Sequence, residues 1–154
     1  MNKLTIPLLA TLTALALTSG VALAGSKDVV VENAWARASI GGNRPGAAYM
    51  TIHNTGDEAV MLTGLATPLS MMSEIHETTT NSDGVSSMAP ASKITIAPDK
   101  RVELAPGGLH VMLMGLQGPM TEGDSFPLAL SFSDGGKITV VVPILGIAAR
   151  GPEG

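Results

Sequence analysis

The 154-residue sequence contains no cysteine, and its aromatic complement is one Trp, one Tyr and two Phe. Without thiols there can be no disulfide, thiolate metal site, cysteine nucleophile or dithiol redox couple, and a blue-copper centre is excluded with them. Charge is scarce as well. Nine Lys/Arg against thirteen Asp/Glu give a net charge of −4, and the absence of a basic cluster argues against a nucleic-acid partner. A charged fraction of 14% beside 45% hydrophobic residues excludes a disordered chain. No GxSxG elbow occurs, and no Gly-rich phosphate loop leads into a helical pattern. Nothing here marks an enzyme.

What is present begins with an export signal. Lys3 precedes an apolar run over residues 4–17, and Ala22-Leu23-Ala24 supplies the small-x-small pattern of a signal-peptidase site. The run is shorter than the ~20 residues that span a bilayer. Residues 1–24 are therefore read as a cleaved signal peptide that delivers the protein to a bacterial periplasm. A lipid anchor is not expected, because no cysteine is available to carry it. Cleavage of 24 residues leaves 130, with Lys3 lost and a net charge of −5. A chain of that size buries roughly two-thirds of its unfolded surface and needs no disulfide.

The rest is punctuated by Gly and Pro at short, regular intervals. Segments with period-2 alternation lie between them at 29–39, 46–54, 58–67, 73–79, 84–88, 92–98, 100–106, 109–116, 125–133 and 136–145. Asp83-Gly84 and Asp134-Gly135 read as hairpin turns. No window sustains a helical period with caps. The expectation is a single all-β domain over 25–145, a sandwich or barrel, followed by a flexible tail at 146–154.

Methionine is over-represented. Of nine, seven fall between residues 61 and 120, together with His76 and His110. In the strand 109–116, the core face is assigned to Leu109, Val111 and Leu113, which turns His110, Met112 and Met114 outward. Glu74, His76 and Thr78 likewise share a face, with Ile75 opposite. Imidazoles and thioethers form a soft donor set that favours Cu(I) over Zn(II), Mg(II) or Ca(II). Taken alone, His-x-Met on a strand is as compatible with packing as with metal binding.

The spacing adds to this. His76 is followed by eleven residues and then Met88; twenty-one residues later come His110, Val111 and Met112. This resembles the periplasmic copper chaperones of the PCuAC type, with their H(M)-x10-M-x21-H-x-M motif. The similarity extends through ENAWARAS, AAYMTIHNTGDEAVMLTG, LAPGGLHVMLMGL and the last two strands. The optional methionine after the first histidine is Glu77 here. The resemblance implies a cupredoxin-like, immunoglobulin-like β-sandwich, monomeric and without catalytic activity. It implies one Cu(I) on His76, Met88, His110 and Met112. It also implies delivery towards the binuclear copper centre of cytochrome c oxidase, directly or with a thioredoxin-like assembly factor. Some relatives add a His- and Met-rich extension with a further copper site; this chain has neither residue after Met120.

Two other readings use the same residues. One is a periplasmic Cu(I) buffer or resistance protein, the other a secreted β-sandwich scaffold in which the cluster only packs. Among the remaining residues, His53 is read as capping the TIHNTG bend and Trp35 as a core anchor. Pro106-Gly107-Gly108 is read as the turn that aims the His110 strand. Met61 and Met120 are assigned to the core; Met71 and Met72 are placed in a loop, where packing is favoured over a role as solvent-exposed auxiliary thioethers. Met114 stands beside the ligand set without belonging to it.

Overall fold

A computed structural model describes residues 26–152; the signal peptide expected at 1–24 lies outside them. After a 3-10 turn at Ser26–Asp28 every regular element is a strand: β1 (Val29–Arg37), β2 (Gly46–Asn54), β3 (Val60–Ala66), β4 (Ser70–Thr80), β5 (Ser86–Pro90), β6 (Ile94–Ile96), β7 (Arg101–Leu104), β8 (Leu109–Leu116), β9 (Ser125–Phe132) and β10 (Lys137–Leu145). No helix among the described residues is long and apolar enough to cross a membrane.

The strands form two layers. One sheet runs β5-β4-β8-β2-β1, with β7 pairing β2 beyond the point where β8 leaves it; the other runs β10-β9-β3-β6. The layers join where the end of β1 pairs in parallel with the end of β10, at Ala36↔Ile144 and Arg37↔Leu145. The all-β sandwich expected from the Gly/Pro spacing is the architecture found. Both hairpin turns also form. Gly84 and Gly135 take φ of 78° and 83°, a region that costs glycine nothing and other residues strain.

Between the layers lies the core. Ala48, Met50 and Ile52 of β2, Val111 and Leu113 of β8, Leu128 and Leu130 of β9, and Val142 of β10 are buried there. Met120 joins them as expected, with its thioether against Gly46 where no Cβ intervenes. Met61 does not. It is half-buried and pairs with Thr95, while its neighbours Val60 and Leu62 take the core positions. Branched side chains fill that face, and strand alternation sends the thioether to the other side.

One further expectation is corrected and another refined. His53 belongs to β2, paired with Val30 and Arg101, and its Nε2 lies 3.8 Å from Asp99 Oδ1. The bend after it is held by the fully buried Asn54. Its Nδ2 donates to the carbonyls of Glu58 and Ile96, and its Oδ1 accepts from Gly56 N–H. An amide offers donors and an acceptor together, which one neutral imidazole nitrogen cannot. Trp35 is buried, but against Tyr49 rather than between the sheets. A bulge at Asn33 (φ 53°) resets the register so that Trp35 faces Tyr49, with ring centroids 4.5 Å apart. The Arg37 guanidinium stands 5.9 and 5.7 Å from the two rings, and its Nε donates to the Ala149 carbonyl at 2.7 Å.

Candidate metal centre

Strand pairing brings the two histidines together. In the antiparallel β4–β8 ladder His76 stands directly opposite His110, and Glu74 opposite Met112. Directly opposed residues share a face, and Ile75↔Val111 on the other face are core. His76, His110, Glu74 and Met112 therefore occupy the outer surface of the sheet, as the alternation of the two segments predicts. The imidazole centroids are 6.2 Å apart, with an interplanar angle of 45°.

Met88 arrives from the edge. In the β4–β5 hairpin Thr78 faces Met88 and His76 faces Pro90, so Met88 lies one row away from the histidines on the same surface. The hairpin is closed by Asn81, whose Oδ1 accepts from the N–H groups of Asp83 and Val85. Met88 is 60% exposed, and every residue of β5 is exposed with it. Met112 is half-buried and its opposite neighbour on β2 is Ala47. Three of the four residues named from the spacing are immediate neighbours, and the fourth is a flexible side chain on the adjoining edge strand.

Each imidazole is held by one nitrogen. His110 Nδ1 lies 3.1 Å from the Gly108 carbonyl, which can only accept, so in the neutral ring the lone pair is on Nε2. The turn expected at Pro106-Gly107-Gly108 supplies that acceptor. Gly107 takes φ 88°, and Gly108 N–H donates to the Ala105 carbonyl. His76 Nε2 lies 3.3 Å from Glu74 Oε2, and its Nδ1 is buried without a hydrogen-bond partner. An unpaired nitrogen of this kind costs desolvation energy that a bound ion would recover. Glu74 was legible as sharing the His76 face; its hydrogen bond depends on side-chain conformation, which spacing does not specify.

His110 is only 7% exposed although it points away from the core. β4 covers one flank of it, with His76 directly opposite. In the neighbouring Trp35–Tyr49–Arg37 cluster, burial pushes the Tyr49 phenol above its ordinary value, with the Arg37 charge opposing, so the phenol is neutral at physiological pH. Among the described residues no group of three or more His, Cys, Asp or Glu could hold a metal ion. On the same face the soft donor at hand is the thioether of Met112, two residues from His110 on β8.

Met71 and Met72 are not in a packed loop. Both lie on β4, 82% and 50% exposed respectively. The strand reaches back to Ser70 because its early residues pair with the end of β8, Met72 facing Met114. Met71 turns to the opposite side, over Gly115.

Comparison with known proteins agrees with this frame. Residues 29–144 match the family described as "Putative lipoprotein LpqE-like". A protein of Leifsonia xyli subsp. xyli (strain CTCB07), named Putative lipoprotein Lxx21020, is 34% identical over 116 residues, covering 75% of this chain and 69% of that protein. The copper-bound PCuAC domain from PmoF2 superposes with a TM-score of 0.65 at 24% identity, over 77% of this chain and 93% of that one. The solution structure of CuI-DR1885 from Deinococcus radiodurans gives a TM-score of 0.61 at 34% identity, over 75% of this chain and 76% of that one. With its sandwich, its paired histidines and these similarities, the chain belongs to the LpqE-like family and has the fold of PCuAC copper chaperone domains.

Proposed function

We propose that the protein is an exported copper chaperone, a carrier rather than an enzyme, which holds one Cu(I) through His76, Met88, His110 and Met112. The observation that carries this reading is the opposition of His76 and His110 on an outward face. One ring presents a buried, unpartnered Nδ1, and the other a nitrogen left free by the Gly108 carbonyl. Two imidazoles with two thioethers form a neutral, soft set suited to a monovalent d10 ion. Thioethers also survive an oxidising compartment, where thiols would pair. The copper in the PmoF2 domain and the Cu(I) in DR1885 support copper as the cargo.

The geometry suits transfer. Met88 stands at the sheet edge where an acceptor can approach, while His110 is sheltered. Donors can be exchanged one at a time, Met88 first, so copper need never be released free. In this reading the acceptor is the binuclear copper centre of cytochrome c oxidase, reached directly or through a thioredoxin-like assembly factor. Anaerobic Cu(I) titration against a competing chelator, with His110→Ala as control, tests the site. Mixing the loaded protein with an apo oxidase copper domain tests the role. Prompt transfer supports a carrier, whereas retention of copper against a tighter acceptor would indicate a buffer.

A further inference from the structure

The face that carries His110 and Met112 does not end there. Met114 follows on β8, and the residue directly opposite it on β4 is Met72. Opposed residues of an antiparallel pair have Cβ atoms about 4.5–5.5 Å apart, so both thioethers can close on one ion. Met72 is half exposed and Met114 half-buried, and neither belongs to the inter-sheet core. Successive rows on one face of a strand are about 6.8 Å apart. Met112 therefore stands one row from His110 on one side and one row from Met114 on the other. Glu74, opposite Met112, places a carboxylate between the two positions.

We propose that Met72 and Met114 form a second, thioether docking position for a monovalent soft cation, with Met112 as the donor shared between it and the histidine site. The proposal rests on Met112 being a ligand of the main site. Two neutral sulfurs bind more weakly than a four-donor set, and the position is open to solvent. It is thus suited to first capture or last release of the ion. The ion would move between the positions by exchanging partners around Met112, while the Glu74 carboxylate lowers the electrostatic cost of a cation midway. Met71 is the internal control. It is the more exposed thioether and the sequence neighbour of Met72, yet its side chain lies over Gly115 on the other face.

The test is a titration of the intact protein, its methionine methyl groups labelled with carbon-13, with Ag(I) as a redox-inert stand-in and with Cu(I) under anaerobic conditions. The first equivalent should shift the Met88 and Met112 methyls. The second should shift Met72 and Met114, move Met112 again, and leave Met71 unmoved. A Met72→Leu/Met114→Leu variant, near in volume and therefore fold-preserving, should lose the second equivalent and keep the first. His110→Ala should disturb the first equivalent, so the failure of either site can be recognised separately. Absence of a second equivalent, its persistence in the double variant, or an equal response from Met71 would each overturn the proposal.

Discussion

His76 and His110 face each other across β4 and β8, and each is tethered through a different ring nitrogen. His76 is held at Nε2 by a side-chain carboxylate, His110 at Nδ1 by a main-chain carbonyl. The free nitrogens consequently differ, Nδ1 on one ring and Nε2 on the other. A backbone acceptor cannot be removed by substitution, but Glu74 can. The two tethers are therefore open to unequal tests.

Glu74→Gln should weaken Cu(I) binding by ~10–100-fold, as loss of a partner that orients a ligating histidine commonly does. The amide can still donate or accept, so the fold should persist while the preference for a proton on Nε2 disappears. Chelator competition gives the affinity, and long-range nitrogen–proton correlation spectra give the tautomer of His76. Unchanged affinity together with an unchanged tautomer would remove Glu74 from the site.

Methionines of the core and of the surface should separate cleanly in stability. Met120→Ala removes a buried side chain and should cost ~2–5 kcal/mol. Met61→Ala, on the half-buried outer face of β3, should stay nearer the ~0.5 kcal/mol typical of surface changes. Gly46→Ala should cost ~1–3 kcal/mol by overpacking, since the added methyl meets the buried Met120 sulfur. Chemical denaturation of the three variants decides it.

Much of this was legible because turns and alternation are local. β2 and β8 begin and end where the turn residues on either side of them require. The outward face of His110 and Met112 follows from the branched residues between them. The same rule applied to VMLTGLA sends Met61 outward, whereas residue type alone places it in the core. The start of β4 was not legible. Met71 and Met72 follow a Thr67-Pro68 turn and become strand only through pairing with β8 some forty residues away. The burial of His110 is likewise supplied by residues distant in sequence, and the bend at Asn54 depends on a hydrogen-bond geometry that composition does not encode. The proposed ligands follow from a resemblance in spacing, which specifies who is present but not which nitrogen is free.

Acid should loosen the start of the domain through Asp134. Its carboxylate accepts from Ser26 N–H at 2.7 Å and from Gly136 N–H at 2.9 Å, and these bonds hold its pKa below the ordinary value. A depressed folded-state pKa contributes stability above the unfolded value and loses it as pH falls through the folded one. Asp134→Asn should therefore lower the thermal midpoint near neutrality and converge with the parent at strongly acidic pH. Melting curves across pH 2–7, with the Ser26 amide followed by NMR, check both the sign and the location.

Replacing Met88 with Ala should separate binding from folding more cleanly than any other ligand substitution. The side chain is 60% exposed on an edge strand whose residues are all exposed, so little packing is lost and the stability change should fall within ~0.5 kcal/mol. In the proposed site its place one row from the histidines lets it reach over the ion from the edge, so its loss should open the site rather than distort it. Cu(I) should then bind more weakly, chiefly through faster release, because the two imidazoles and Met112 remain paired as before. His110→Ala, by contrast, empties a sheltered position and should lower both affinity and thermal stability. Release rates measured with an excess of chelator, beside melting temperatures of the metal-free proteins, give two readouts for each variant. If Met88→Ala releases Cu(I) at the parent's rate, the edge strand takes no part in holding the metal, and the fourth donor must be sought elsewhere on the same face.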